Sequence, residues 1–209
     1  MAAQQRQSQA DRSRATRTAL TATARRLFAE RGYADVSAAE IVSAAGLTRG
    51  ALYHHYADKA DLFRAVLIEL EVEMYSEIQA AAERAEAQGV TDPIAISAAS
   101  LDAYLSACER DDIVRIMLND APTVLGWRGW RDIEHEHGLG LLIEMLEALM
   151  AEGLIPRQPV RILAQLLNST LIEAALLVAD ARESADRAEV RAEVRQGVLT
   201  LFAGLFVRT

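Results

Sequence analysis

The residues best suited to recognising a partner lie together in the segment AGLTRGALYHHYADKADLF, residues 45–63. It holds the only lysine of the chain, Lys59, and two of the four histidines. Thr48, Arg49 and Tyr53 stand beside them, so hydroxyl, guanidinium, imidazole and ammonium donors are concentrated within a few residues. Such donors can bind the oxygen and nitrogen acceptors of a nucleic acid.

The sequence offers no arrangement typical of catalysis or metal binding. His135 and His137 are two residues apart, about 200° round a helix, so they cannot hold one ion together. Glu134 and His137 have a workable spacing but no third ligand nearby. There is neither a glycine-rich phosphate loop nor a serine nucleophile elbow. We therefore predict no catalytic residue, no metal site and no cofactor.

Helix-start signals predict two short helices in and before this segment. Ser37 and Glu40 form a capping-box pattern for a helix over about 38–45. Thr48 can cap a further helix over about 49–55. Two short helices joined by a glycine turn are typical of a helix-turn-helix. The alternative is an ordinary helical hairpin with a chance excess of basic residues.

Apolar residues at helical spacing continue along the chain and predict an all-α protein. Ala and Leu dominate, and aromatic residues, which favour strands, make up only 5% of the chain. We expect about nine helices. Besides the two short ones they cover about 10–31, 58–88, 93–109, 111–119, 127–152, 158–181 and 185–207.

The predicted organisation is a flexible tail over 1–12, a three-helix helix-turn-helix domain over 13–60 and a helical ligand-binding and dimerisation domain over 61–209. The tail prediction rests on the polar character of its first residues. The helices over about 158–181 and 185–207 have broad apolar faces, which favours a four-helix bundle formed between two copies of the chain. The alternative is that they cover only their own core.

Charge is divided unevenly along the chain. The whole protein has a net charge of −8 and a pI of about 5.1, which by itself argues against nucleic acid as a partner. Residues 1–66, however, contain ten basic and six acidic residues, a net charge of +4 that leaves −12 for the remainder. The first part can meet a polyanion, while the second keeps the protein soluble and repels DNA.

Features of secreted and membrane proteins are missing from the sequence pattern. No apolar run approaches the roughly 18 residues of a membrane span, and the N-terminus lacks the apolar core of a signal peptide. The single cysteine, Cys108, excludes an internal disulfide. We expect a cytoplasmic protein without a membrane partner.

Residues 17–63, RTALTATARRLFAERGYADVSAAEIVSAAGLTRGALYHHYADKADLF, resemble the tetracycline-repressor (TetR) family of transcriptional regulators. The resemblance rests on the successive pieces "LF", "GY", a serine cap, "AG", "LYHH" and "KADL". Val42 and Tyr56 depart from the alanine and phenylalanine that are common at those positions. Residues 120–142, DAPTVLGWRGWRDIEHEHGLGLL, are more weakly similar to a ligand-domain type of the same family.

The resemblance implies a recognition helix whose N-terminal end enters the major groove of DNA. Arg49 is then expected to bond a guanine, Ala51 to contact a thymine methyl, and Gly50 to allow a close backbone approach. Lys59 is expected to hold a phosphate at the start of its helix. The full predicted DNA-binding set is Ser37, Thr48, Arg49, Gly50, Ala51, Tyr53, His54 and Lys59.

The second domain is expected to hold an apolar pocket with a few polar groups. Asn168 attracts notice because a polar side chain on such an apolar helix needs a partner. The predicted ligand-binding residues are Tyr104, Cys108, Met117, Trp127, Trp130, His137, Leu141, Asn168 and Ile172.

Together these observations predict a homodimeric repressor that binds a palindromic operator in double-stranded DNA. A small, largely apolar effector is expected to release it. A transcriptional activator or a ligand-independent regulator stays open as an alternative. So does a helical small-molecule-binding protein or enzyme that does not bind DNA, although the positive charge of residues 1–66 speaks against it.

Overall fold

The computed structural model describes residues 2–207, apart from the side chains of residues 2–9, 134, 135 and 137. Within this part of the chain there are nine α-helices, one π-helix over Ile113–Asp120 and no strand, which confirms the predicted all-α fold. The α-helices are α1 (Ala2–Arg31), α2 (Ala38–Ala44), α3 (Arg49–His55), α4 (Lys59–Ala87), α5 (Pro93–Ala107), α6 (Ala121–His137), α7 (Leu139–Ala151), α8 (Val160–Ala181) and α9 (Arg187–Ala203).

The first helix begins earlier than the sequence predicts. α1 starts at Ala2, so residues 2–12 continue the helix where we expected a flexible tail. This segment contains Ala, Gln and Arg, which favour helices, and neither Gly nor Pro to interrupt one.

The middle of the chain departs from prediction in two places. The expected helix over about 127–152 is divided into α6 and α7 at Gly138, because glycine has a low helix propensity. The gap expected between the helices over about 111–119 and 127–152 is shorter than predicted. α6 already starts at Ala121, with Pro122 in its first turn, where proline is tolerated. Only Gly126 leaves the helical conformation there, with φ 70° and ψ 158°.

The chain forms two compact units. Unit 1 consists of the residues up to Leu70 together with Asp111–Trp127, and unit 2 consists of Glu71–Arg110 together with the residues from Arg128 onward. α4 therefore contributes to both units. The units describe packing, so the functional domain boundaries predicted from the sequence stay predictions.

The core of unit 1 surrounds one face of α1. Leu20 and Phe28 of α1, Ile41 of α2, Leu52 of α3 and Phe63 of α4 are all fully buried. The rings of Phe28 and Phe63 meet edge to face, with 5.4 Å between their centroids. Burial of these side chains stabilises the short helices α2 and α3, which are too short to be stable alone.

The core of unit 2 is formed by α5, α7, α8 and α9. Leu146 of α7 and Ala164 of α8 are fully buried in one apolar cluster that also includes Phe202 of α9. Leu105 of α5 and Val178 of α8 belong to a second cluster. α8 contributes to both clusters, which explains part of its unusually apolar sequence.

α8 is long and apolar enough to cross a membrane by length and composition, contrary to our expectation that no run approached this limit. Only 39% of its most apolar window is buried within the described structure. Ile162, Leu166 and Leu177 are exposed on the helix. A buried face explains part of its apolar character, and the exposed stripe is available for a further contact.

Candidate nucleic-acid interface and ligand cavity

The start of α2 is fixed by the capping box that the sequence predicts. The Glu40 N–H donates to Ser37 Oγ at 3.2 Å, and the Ser37 N–H donates back to the Glu40 carboxylate at 2.8 Å. Arg31 adds an ion pair with Glu40 at 2.9 Å. The bonds from the Ser37 N–H and hydroxyl, followed by the contact with Arg31, lower the pKa of Glu40 to about 2.

α3 has one buried face and one free face. Its N-cap, Thr48, accepts a hydrogen bond from the Ala51 N–H at 3.2 Å, as predicted. Leu52 points into the core and is fully buried, while Tyr53 is 56% exposed. Thr48, Arg49, Gly50 and His54 are exposed as well, and Ala51 is half-buried. The structure therefore brings these predicted contact residues together on one short helix and its N-terminal cap.

Gly50 has no structural requirement for glycine. It adopts an ordinary helical conformation without a positive φ. A Cβ added there would meet only Thr48 Oγ1, at 3.8 Å, which is an ordinary van der Waals contact. The missing side chain instead leaves this part of the exposed face open to a close approach by a large partner.

Lys59 makes contacts that the sequence analysis did not anticipate. Its Nζ donates to the carbonyl oxygens of Tyr33 and Val36, both at 2.9 Å, and lies 3.8 Å from the centre of the Tyr33 ring. Burial lowers the pKa of this amine, against the opposing effect of Asp120 and Glu40. Lys59 thus fixes the turn between α1 and α2, and its predicted phosphate contact stays a prediction.

The π-helix provides a second support for this turn within unit 1. The Asp120 carboxylate accepts a hydrogen bond from the Tyr33 N–H at 2.7 Å. Arg25 of α1 donates through Nε to the Asp112 carboxylate at 3.0 Å. Both pairs join residues 87 positions apart, so sequence patterns gave no signal for them.

The positive φ of Gly32 explains why this residue is glycine, and Arg115 of the π-helix packs against it. The Arg115 guanidinium donates to the Arg31 carbonyl at 3.2 Å and lies directly over Gly32. A Cβ on Gly32 would be 2.7 Å from Arg115 Nη2, and the backbone there has a φ of 81°. A residue with a side chain would be strained by this φ, and the end of Arg115 would have to shift to make room for its Cβ.

Unit 2 contains a cavity of about 510 Å³. Its walls come from α4, α5, α7, α8 and α9 and are mostly apolar, with Ile78, Leu101, Leu142, Met145 and Phe202 among them. Sequence reasoning missed these five because a side chain lining a cavity and one filling a core share the same helical periodicity.

Three of the predicted ligand-binding residues line the cavity, namely Tyr104, Leu141 and Asn168. Tyr104 is held in place because its hydroxyl donates to the Leu171 carbonyl at 2.8 Å.

Five other predicted ligand-binding residues do not line this cavity. Cys108, Trp130 and Ile172 are buried in unit 2, where they fill the interior. Met117 and Trp127 belong to unit 1, the first buried and the second 63% exposed. Burial raises the pKa of the Cys108 thiol to about 12, so it stays protonated and unreactive. The sixth, His137, has a side chain outside the described residues.

The charged residues on the described lining of the cavity are all acidic, and the lining also contains one unsatisfied amide. Asn168 is only 6% exposed, and its Nδ2 has no hydrogen-bond partner. Glu86, Glu144 and Glu152 also line the cavity and are exposed at their positions. The described lining residues include no Lys, Arg or His.

Two family models match the sequence, one over the segment that contains α3 and one over most of the helices that line the cavity. Residues 20–66 match "Bacterial regulatory proteins, tetR family", and residues 94–205 match "Tetracyclin repressor-like, C-terminal domain". The crystal structure of a TetR-family transcriptional regulator from Pectobacterium atrosepticum is 33% identical, with 95% of this chain and 97% of that chain covered and a TM-score of 0.77. The chain belongs to the TetR family of transcriptional regulators.

Solved structures with lower sequence identity share the fold. The fatty acid degradation regulator FadR from Bacillus halodurans is 18% identical over 88% of this chain and 94% of that chain, with a TM-score of 0.67. The regulatory protein TetR from Rhodobacter sphaeroides is 17% identical over 91% of this chain and 98% of that chain, with a TM-score of 0.60. No curated protein matches the sequence.

Membership of the TetR family settles the general activity. The protein is a DNA-binding transcriptional regulator whose N-terminal domain carries the DNA-binding function, and it is not an enzyme. The alternative of a helical protein or enzyme that does not bind DNA is therefore wrong. TetR regulators typically act as dimers with small-molecule effectors.

Proposed function

We propose that this TetR regulator is a cytoplasmic, homodimeric repressor that binds a palindromic operator and leaves it when a small, largely apolar effector fills the cavity of unit 2. The observation that carries the proposal is the exposed face of α3. Arg49, Gly50, Tyr53 and His54 lie on this face, Thr48 caps its start, and the structure uses none of the five to fill the core.

The residues of this face suit two kinds of DNA contact. Arg49, in the first turn of α3, has the bidentate donors that read a guanine edge in the major groove. Tyr53 and His54 lie one turn further along, where they can donate to phosphates and set the register. Thr48 has its side chain in the helix cap, where it stabilises the first turn of α3 that carries Arg49.

The exposed apolar residues of α8 and α9 support the homodimer. Ile162, Leu166 and Leu177 form a stripe on α8, and Leu201 on α9 is 59% exposed. Gly197 on α9 has nothing within 4 Å of an added Cβ, so another helix can approach closely. Pairing two copies through these helices would present two recognition helices to half-sites about 34–36 Å apart.

The proposed effector response depends on α4. This single helix contributes its first residues to unit 1 and its later residues, including Ile78, to the wall of the cavity. A cavity of about 510 Å³ is within the range that binds small molecules. An effector that prefers one position of α4 shifts the population away from the state that binds the operator.

The proposal is tested with a fluorescently labelled palindrome from the DNA upstream of the gene. Binding should weaken steeply as salt rises, because phosphate contacts release counterions. Arg49→Ala should weaken operator binding by about 1–3 kcal/mol. Arg157→Ala, an exposed arginine of unit 2, serves as the control and should have no effect.

An operator affinity that responds neither to salt nor to Arg49→Ala would contradict the proposed DNA contacts. Repression is tested separately, by placing the promoter before a reporter gene. Deletion of the regulator should raise transcription, and a fall in transcription would identify an activator instead.

A further inference from the structure

We infer that the effector is a lipophilic cation, with an apolar body, a neutral oxygen acceptor and a positively charged head. This inference rests on the proposed use of the unit 2 cavity as the effector site, and it names the class of ligand. Three features of the cavity carry it: its apolar wall, its carboxylates and its unsatisfied amide.

The wall selects an apolar body. Leucine, isoleucine, methionine and phenylalanine side chains from five helices surround the cavity. Each of these surfaces is removed from water when an apolar ligand enters, which favours binding in proportion to the area buried.

The carboxylates select a positive head. Glu86 on α4, Glu144 on α7 and Glu152 just after α7 line the cavity from positions that also reach solvent. A cationic head held near them keeps contact with water while its charge is balanced. An anionic head would be repelled by these three carboxylates, and the described lining has no Lys, Arg or His to offset them.

Asn168 selects a neutral acceptor deeper in the ligand. Its Nδ2 is buried without a hydrogen-bond partner, which is costly for the empty protein. The Tyr104 hydroxyl, which donates to the Leu171 carbonyl, makes no hydrogen bond with Nδ2. An ester, ketone or ether oxygen on the ligand would satisfy the Asn168 amide and recover that cost.

Three ligands that share one apolar chain test the inference by titration calorimetry below their micelle concentrations. Decanoylcholine has the chain, an ester and a quaternary ammonium, methyl decanoate lacks the charge, and decanoate carries a negative charge. We expect decanoylcholine to bind most tightly, methyl decanoate about tenfold more weakly, and decanoate more weakly still.

Two variants separate the contributions of the cavity. The triple variant Glu86→Gln, Glu144→Gln, Glu152→Gln changes exposed positions only, so it should fold normally and bind decanoylcholine and methyl decanoate equally. Asn168→Leu should weaken decanoylcholine about tenfold and leave decyltrimethylammonium, which has no ester, unaffected.

Decanoate binding as tightly as decanoylcholine would overturn the inference, and so would a failure of decanoylcholine to bind. Selectivity that survives in the triple glutamine variant would overturn it too, because the preference would then arise outside the cavity. A parallel operator-binding assay keeps the two proposals apart. Release of the operator by decanoate alone would leave the ligand-responsive regulator standing and reject only the cationic class.

Discussion

Arg49 illustrates how a single side chain can combine charge and geometry. It lies exposed in the first turn of α3, directly after the Thr48 cap. A guanidinium offers two parallel donors to a guanine, whereas an ammonium offers only a point charge. Its proposed role therefore depends on shape as well as on charge.

Arg49→Lys tests that distinction. The variant should lose about 1–3 kcal/mol of discrimination at one base pair of the operator while it keeps the salt dependence of the wild type. Competition between operators with single substitutions, measured at several salt concentrations, gives both quantities. An unchanged specificity would remove Arg49 from base recognition.

Gly50 provides a matched test that involves no charge. Gly50→Ala should stabilise α3, by about 0.5–1 kcal/mol, because glycine is unfavourable inside a helix and the new methyl group meets only Thr48 Oγ1 at 3.8 Å. The same methyl group should weaken operator binding if DNA approaches closely. Urea unfolding and operator titration measure the two effects, and equal affinity of variant and wild type would contradict a close approach.

At the scale of the element, α2 depends on the ionised form of Glu40. Its folded-state pKa of about 2 lies below the ordinary value of 4.5, so its stabilising effect is fully present above pH 4.5. That effect is lost as the pH falls through about 2. Glu40→Gln should therefore reduce the acid-dependent part of the stability, as acid titrations followed by circular dichroism would show. An NMR titration midpoint for Glu40 near 4.5 would contradict this account.

Lys59 holds the turn between α1 and α2 through two backbone carbonyls. Lys59→Met leaves both carbonyls without this donor, so the free energy of unfolding should fall by roughly 1–3 kcal/mol. Arg64→Met, at an exposed position on the same helix, is the control and should change stability little. If Lys59→Met is as stable as wild type but binds the operator poorly, the lysine serves DNA rather than the turn.

At the scale of the whole molecule, the proposed operator contacts require two copies. Leu166 is 63% exposed on α8, in the middle of the proposed dimer surface. Leu166→Glu should yield a monomer in analytical ultracentrifugation and weaken operator binding, although α3 is unchanged, because a charge cannot be buried without a partner. Val72→Glu, at an apolar residue of α4 that is 56% exposed, should leave the dimer intact. A dimeric Leu166→Glu would place the interface elsewhere.

The sequence by itself determined the features that depend on neighbours along the chain. The Ser37 capping box, the Thr48 cap and the inward position of Leu52 all arise from contacts within one or two helical turns. Periodicity likewise predicted the all-α fold, and the exposed face of α3 follows from its caps and its buried leucine. Local hydrogen bonds and helical spacing are properties of a short segment, so a sequence pattern can show them.

Only the tertiary structure decided which distant residues meet. Tyr104, Leu141 and Asn168 line the cavity, whereas Trp130 and Ile172 are buried in the interior, although all five lie on predicted helices. The tertiary structure also joined Asp120 of the π-helix to Tyr33 in the α1–α2 turn, across 87 residues. Helical spacing fixes which face of a helix is apolar, but the packing of several helices decides whether that face fills a core or borders a cavity.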